Sequence, residues 1–269
     1  MIIGFKHHKS EHPKLYLHNT PIVNVNKHKH VGLWLEDNLG WHVHVHDICT
    51  KAQHRLNYLK QLKFKISRNT LEKIYFTFIR PILEYGDVVW LGASHSDLRK
   101  IDSIQVEAMR LVSGAPFRSN ISLLYNELGW QKLSDRREHH MLVMMFKIMN
   151  GLCPTYLKDL IPPVVGDSIP YRLRNSNNYS IPKYRINVHR DSFIPTGIKL
   201  WNDQDHLLKS SPTLSSFKYK LQKQKDQSQK KVFKFQKKLF NTGDRFWNAI
   251  HARMRMKCSP LNEHLSKYI

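Results

Sequence analysis

NTLEKIYFTFIRPILEYGDVVW, Asn69 to Trp90, decides the fold class. Leu71, Ile74, Tyr75, Phe78, Ile79 and Ile82 recur at steps of three and four, which puts one apolar face on a helix. Asn69 followed by Glu72 has the spacing of a capping box, so the helix is expected to start there. Pro81 lacks a backbone donor and disfavours helical geometry at Arg80, so a kink or break is expected before the aromatic and β-branched run Tyr85 to Trp90. Taken alone, the stretch reads as a core helix with a proline kink.

Working outward on both sides, the same period recurs. Val45, Ile48, Ala52, Leu56, Leu59 and Leu62 form a stripe from Trp41 to about Lys65, with Arg55 inside it. Arg55 must therefore snorkel or find a partner. Lys51, Lys60, Lys63 and Lys65 flank the stripe or lie beyond it. Further helices are expected from about Asp97 to Val112, from Ile121 to Leu128 and from about Ser134 to Asn150, with Gly114 and Pro116 stopping the first and Gly151 the last. Met145 and Met149 read as gap-filling core.

Toward the N-terminus the period changes to two. Ile2, Ile3 and Phe5, then Leu15 and Leu17, then Ile22, Val23 and Val25, then Val31, Leu33 and Leu35 read as two pairs of short strands. Such a sheet cannot bury both faces by itself. The expected class is α+β, mainly helical. Short N-terminal strands occupy residues 1–40, a helical region 41–161, and a basic region 162–269.

Charge is the strongest global feature. Forty-three Lys and Arg oppose 21 Asp and Glu, a net charge of +22, so nucleic acid is the first partner to consider and an acidic membrane surface the second. Phe217 to Leu239 holds nine lysines and one acid, Asp226. It reads as a solvated helix, a tail or a nuclear-localisation patch, and like charges at helical spacing would be ordered by an anion. In Tyr171 to Arg190, the residues Arg172, Arg174, Lys183, Arg185 and Arg190 interleave with Tyr171, Tyr179 and Tyr184. That pattern suits phosphate contact and base stacking, and equally an ordinary polar loop. FIPTGIKLWN, Phe193 to Asn202, supplies an apolar anchor.

Catalytic and metal patterns are nearly absent. There is no phosphate-cradling glycine loop and no G-x-S-x-G elbow. Cys49, Cys153 and Cys258 lie too far apart for a zinc ribbon, which fits a reducing compartment. His7, His8, His12, His28 and His30 precede His42, His44 and His46, which would share one side of a strand and offer a metal site. Their run enters a helical pattern, however, where positions two apart diverge. Glu36 and Asp37 face apart in an extended chain, so a shared metal is not expected. No signal peptide and no run of ~18 apolar residues occurs. The protein is expected to be intracellular, in nucleus or cytoplasm, with no membrane and no small-molecule substrate.

Four pieces in order resemble a known family: HKHVGLWLEDNLGWHVHVHDI (His28 to Ile48), LEKIYFTFIRPILEYGDVVW (Leu71 to Trp90), FIPTGIKLWN, and HARMRMKCSPLNEHL (His251 to Leu265). They are similar to the region downstream of the catalytic palm in reverse transcriptases of non-long-terminal-repeat, jockey-like retrotransposons. The resemblance implies that residues 1–40 are the last palm strands, including the primer-grip region. It implies that 41–161 is thumb-like, and the rest the C-terminal region. Such polymerases hold Mg²⁺ on palm aspartates, including an Asp-Asp pair. No Asp-Asp pair occurs in this chain, which looks like a fragment starting after that turn and ending before a Cys/His knuckle. Primer-template or RNA binding, without catalysis or a cofactor of its own, is therefore expected. The phosphate contacts would be Lys51, Lys60, Lys63, Lys65 and Arg68, with Arg253, Arg255 and Lys257 in the tail. The alternatives are part of an active polymerase whose palm lies upstream, and a basic structural protein with no nucleic-acid role.

Overall fold

The computed structural model describes residues 1, 3, 14–168 and 176–227. The chain divides into two compact units, 1–205 and 206–269. Among the described residues the architecture is mainly helical with two small antiparallel sheets, as the periodicities require.

The sheets are hairpins. Strands β1 (Tyr16–Leu17) and β2 (Thr20–Pro21) pair around His18 and Asn19, both at positive φ (46° and 62°). Strands β3 (Lys27–His30) and β4 (Leu33–Glu36) pair around Val31 and Gly32, at 46° and 81°. A two-residue loop with both φ positive matches the right-handed strand twist. A β-branched Val31 at positive φ is strained and persists only where its surroundings hold it. Tyr85 does so, donating from Oη to the Val31 carbonyl at 2.9 Å. Ile2, Phe5, His7, His8 and His12 lie outside the described residues.

Helix α1 (His42–Leu62) buries Val45, Ile48, Ala52, Leu56 and Leu59, as its stripe predicts. Helix α2 (Arg68–Ile74) begins two residues earlier than the Asn69 box suggests. Ser67 is the N-cap, accepting the Thr70 N–H at 3.3 Å. Glu72 is used elsewhere, taking the Trp130 indole N–H at 2.6 Å. Pro81 brings neither a break nor a non-helical Arg80, which sits at φ −56°, ψ −41°. A π-helical turn, Tyr75–Ile79, intervenes before α3 (Arg80–Glu84). Widening the turn just ahead of Pro81 accommodates a ring and a missing donor that a regular helix could not. Residues 85–90 form turns and a bend, closed by the Trp90 indole donating to the Tyr85 carbonyl at 2.8 Å, and the buried Trp90 ring anchors them in the core.

Helix α4 (His95–Ser113) is capped by Ser94 and packs along α1 through Ile101, Ile104, Ala108 and Val112. Helix α5 (Ile121–Leu128), capped by Asn120, adds Leu124. Tyr75 lies stacked on Trp130 at the centre of this core, ring centroids 4.3 Å apart and 10° from parallel. Helix α6 (Leu133–Met149) fastens to α3, because the Arg136 guanidinium grips Glu84, and to the following turn, because His140 Nδ1 lies 2.6 Å from Asp87.

After α7 (Thr155–Asp159) and α8 (Val165–Ser168), helix α9 (Asn187–Arg190) leads into α10 (Phe193–Asn202), which lies on α6. A Cβ on Gly197 would sit 2.9 Å from Met145 Sδ, so a larger residue at this close crossing would have to displace the Met145 side chain. In the apolar anchor FIPTGIKLWN, Pro195, Gly197, Ile198 and Trp201 are buried, while Phe193, Ile194 and Leu200 are half-buried. Asn202 pairs its amide with both the N–H and the C=O of Tyr179 (3.0 and 2.9 Å), standing in for a strand neighbour. Lys183, Tyr184, Arg185 and Arg190 are exposed, Arg190 on Asp191 at 2.7 Å; Tyr171, Arg172 and Arg174 lie outside the described residues. In the second unit, α11 (His206–Lys209) precedes α12, residues 214–227. Among the described residues no helix is long and apolar enough to cross a membrane.

Candidate nucleic-acid interface

The β3–β4 hairpin carries Lys27, His28, Lys29 and His30, all exposed. Period two sends Lys27 and Lys29 to one face, where their ammonium groups lie 5.8 and 5.3 Å from the Trp34 ring centroid. The hairpin is held at both ends. At its tip Tyr85 grips Val31, and Gly86 (φ 62°) lies so close to Leu33 that a Cβ there would be 3.0 Å from Leu33 Cδ2. At its base the Glu36 carboxylate accepts the Val43 N–H at 2.9 Å, occupying one of the orphan donors at the start of α1.

Asp47 joins hairpin to helix. Its carboxylate lies 4.0 Å from Lys29 Nζ and 2.6 Å from Lys51 Nζ. Burial pushes the Asp47 carboxyl up, but the Lys51 hydrogen bond and the Lys51 and Lys29 charges outweigh it and hold it below the usual carboxylate range. One turn on, Arg55 leaves the apolar stripe by donating to the Phe78 carbonyl at 2.6 Å, beside the π-turn. Tyr58 follows on the same flank, two-thirds exposed. Lys27, Lys29, Lys51 and Arg55, with Trp34 and Tyr58, thus form a basic and aromatic flank whose nearby carboxylates are Asp47, between Lys29 and Lys51, and Glu36, opposite Lys27 in the hairpin register. From Asp47 to Tyr58 the helix rises about 16 Å, the axial length of about five base pairs.

The phosphate contacts expected from sequence do not gather in one place. Lys51 and Lys60 are nine residues apart on α1, which at about 100° per residue places them on opposite sides. Lys60 meets Glu107 of α4 at 2.5 Å, and Arg68 meets Glu127 of α5 at 2.7 Å. Lys63 lies over Phe64 at 5.4 Å, and Lys65 is exposed in the turn before α2. Arg253, Arg255 and Lys257 lie outside the described residues. Sequence reasoning passed over Lys27, Lys29, Trp34 and Tyr58, although alternating lysines opposite a tryptophan are visible in KHKHVGLW.

The histidines do not share a side, because their segment is helical. His42 Nδ1 is 3.0 Å from Asp97, and His46 is exposed. His44 is buried between Trp41 and Trp90, ring centroids 6.2 and 6.0 Å away, with the Trp34 N–H 3.5 Å from Nδ1. Among the described residues no group of three or more His, Cys, Asp or Glu is arranged to hold a metal ion.

Burial lowers the His44 imidazole below its ordinary value of 6.5; the Asp47 charge opposes this, and Lys51 and Lys29 reinforce it. The unfolded chain therefore takes up a proton at His44 as pH falls through ~6.5, while the folded chain does not. Stability should fall with pH from there downward, at about 1.4 kcal/mol per unit until the lowered folded value is reached. Urea midpoints between pH 7.5 and 5 should fall less steeply for His44→Gln than for the wild-type chain; parallel slopes would refute a buried neutral His44.

No family model matches the chain, and no solved structure matches it. About half of it is similar to curated polymerases of mobile elements. The probable RNA-directed DNA polymerase from transposon X-element of Drosophila melanogaster is 26% identical over 131 residues, 48% of this chain and 14% of its own length. The RNA-directed DNA polymerase from mobile element jockey of the same species is 27% identical over 141 residues, 51% of this chain and 15% of its own length. Its Drosophila funebris counterpart is 25% identical over 46% of this chain and 14% of its own length. The chain thus matches about one seventh of the length of these relatives.

Proposed function

We propose that the chain is a piece of a jockey-like RNA-directed DNA polymerase, binding primer-template or RNA through a thumb-like helical region and carrying no polymerase chemistry of its own. The similarity of half the chain to RNA-directed DNA polymerases of mobile elements carries this reading. The β3–β4 hairpin takes the primer-grip place, and the flank formed by Lys27, Lys29, Lys51, Arg55, Trp34 and Tyr58 supplies phosphate contacts and stacking surfaces. Lys60, Lys63, Lys65 and Arg68, with Arg253, Arg255 and Lys257 in the tail, are further contacts. The site of action is intracellular, in nucleus or cytoplasm. Mg²⁺ belongs to the complete polymerase, whose metal-binding Asp-Asp pair has no equivalent in this sequence.

Binding to an RNA·DNA hybrid should weaken steeply with salt, the slope of log affinity against log salt steepening by about 0.7 to 0.9 per phosphate neutralised. A salt-independent affinity in fluorescence titration would sink the reading, and no binding by a folded chain would leave a basic structural protein. The short coverage of the relatives favours a second reading, in which this piece belongs to an active polymerase with an upstream palm. Primer extension with Mg²⁺ or Mn²⁺ should yield no product from this chain alone. An open upstream frame encoding an Asp-Asp turn would support the longer enzyme.

A further inference from the structure

We propose that α12 in the second unit is a separate docking surface for the phosphate backbone of nucleic acid. It rests on the nucleic-acid reading above but uses none of the residues assigned there. Helix α12 buries Phe217 and Leu221, four residues apart, and exposes Lys218, Tyr219, Lys220 and Lys223. Tyr219 and Lys223 fall on the side away from Phe217, where Asp226 lies three residues beyond Lys223, and Lys220 lies on the flank, about 60° round the helix from Phe217. Residues 214–227 hold four lysines and one acid, Asp226, a formal charge of +3 (4 − 1), and that acid accepts from Gln222 at 2.8 Å.

Density rather than pairing marks this helix: Lys218, Lys220 and Lys223 fall within six residues, while among the described residues Lys65 and Lys183 of the first unit also meet no carboxylate. There, Lys51, Lys60, Arg68 and Arg190 each meet a carboxylate within 2.7 Å. Among the described residues, Lys218 and Lys223 meet none, and Lys220 donates only to the Leu207 carbonyl, at 3.1 Å. Lys220 and Lys223 are helical neighbours of like charge, a repulsion that an intervening phosphate relieves. Apart from Tyr219 the outward side offers no large apolar group, so a protein partner would find little apolar surface to bury, whereas a phosphate backbone needs only the charges. Tyr219 adds a flat ring on which an unpaired base can stack.

The test uses the full chain and anisotropy on a labelled RNA·DNA hybrid across a salt series. Lys220→Glu with Lys223→Glu should weaken binding about tenfold at moderate salt, and the neutral Gln pair should reduce the salt slope by about 1.4 to 1.8, the loss of two phosphate contacts. Helical circular dichroism should be unchanged in both. Tyr219→Ala should weaken binding to a hybrid with a single-stranded overhang more than to a blunt one. An unchanged slope in the Gln pair overturns the proposal, as does competition by polyglutamate as effective as that by unlabelled hybrid, which would mark an acidic polypeptide as the ligand. If Lys29 and Lys51 variants lose affinity while the α12 variants do not, only this proposal fails; if no variant changes a salt-independent signal, both fail.

Discussion

Tyr75→Ala should destabilise the chain by about 3 to 5 kcal/mol, the range for deleting a large buried ring, whereas Tyr75→Phe should be neutral or stabilising. Tyr75 is fully buried, stacked on Trp130 and tilted against Phe76 with centroids 5.5 Å apart. Removing the ring opens a cavity where α2, the π-turn and the Trp130 segment meet, and no single neighbour can close it. Its hydroxyl is a different matter: among the described residues it has no hydrogen-bond partner, and burial pushes its pKa strongly upward. An unsatisfied buried hydroxyl costs about 1 to 3 kcal/mol, so its deletion relieves a penalty while keeping the stack. Urea denaturation followed by tryptophan fluorescence measures both variants. A Phe variant as unstable as the Ala variant would show that the hydroxyl, not the ring, holds the site. Since a domain's whole stability is about 5 to 15 kcal/mol, the Ala variant should be near the limit of folding.

Charge reversal at the hairpin–helix junction should have the largest effect on binding. With Lys29→Glu and Lys51→Glu, three carboxylates including Asp47 would replace two cations around one. Affinity for an RNA·DNA hybrid should fall by about one to two orders of magnitude at low salt, and the salt slope by about 1.4 to 1.8 for two lost phosphate contacts. The Gln pair should show the same change in slope with a smaller loss. Asp47→Asn should act in the opposite direction, because it frees both ammonium groups, 4.0 and 2.6 Å away, for phosphate. Damage to the fold cannot strengthen binding, so the opposite signs separate electrostatics from misfolding. Equal affinity across the four proteins would remove this flank from the interface.

Much of the helical framework was legible from residue spacing. The stripe on α1 and the approximate extents of α4, α5 and α6 follow from period 3.6, and the stops at Gly114 and Gly151 are local chemistry; the caps at Ser94 and Asn120 come from the structure. Misreadings arose where local rules compete. Asn69 and Ser67 both suit an N-cap, and only the backbone register, with Glu72 drawn to Trp130, chooses Ser67. Pro81 signals disruption but not its form, since a π-turn satisfies the same constraint as a break.

The opening stretch shows where the division falls. Its apolar period by itself placed Leu71, Ile74, Tyr75, Phe78, Ile79 and Ile82 on one core face; Leu71, Tyr75 and Ile79 are buried there and Ile74 and Ile82 half-buried, but the π-turn leaves Phe78 exposed and brings Leu83, outside that set, into the core. The period-two lysines of β3 likewise determined that Lys27 and Lys29 share a face. Only the tertiary structure decided that Tyr85 and Gly86, past the end of that stretch's helix, hold the hairpin tip, and that Asp47 draws Lys29 to Lys51. It also decided that Lys60 and Arg68 spend their charge on Glu107 and Glu127 rather than beside Lys51. Spacing along a chain sets which side of an element a residue takes. Which distant carboxylate or ring meets it depends on how elements far apart in sequence pack, and no local period encodes that.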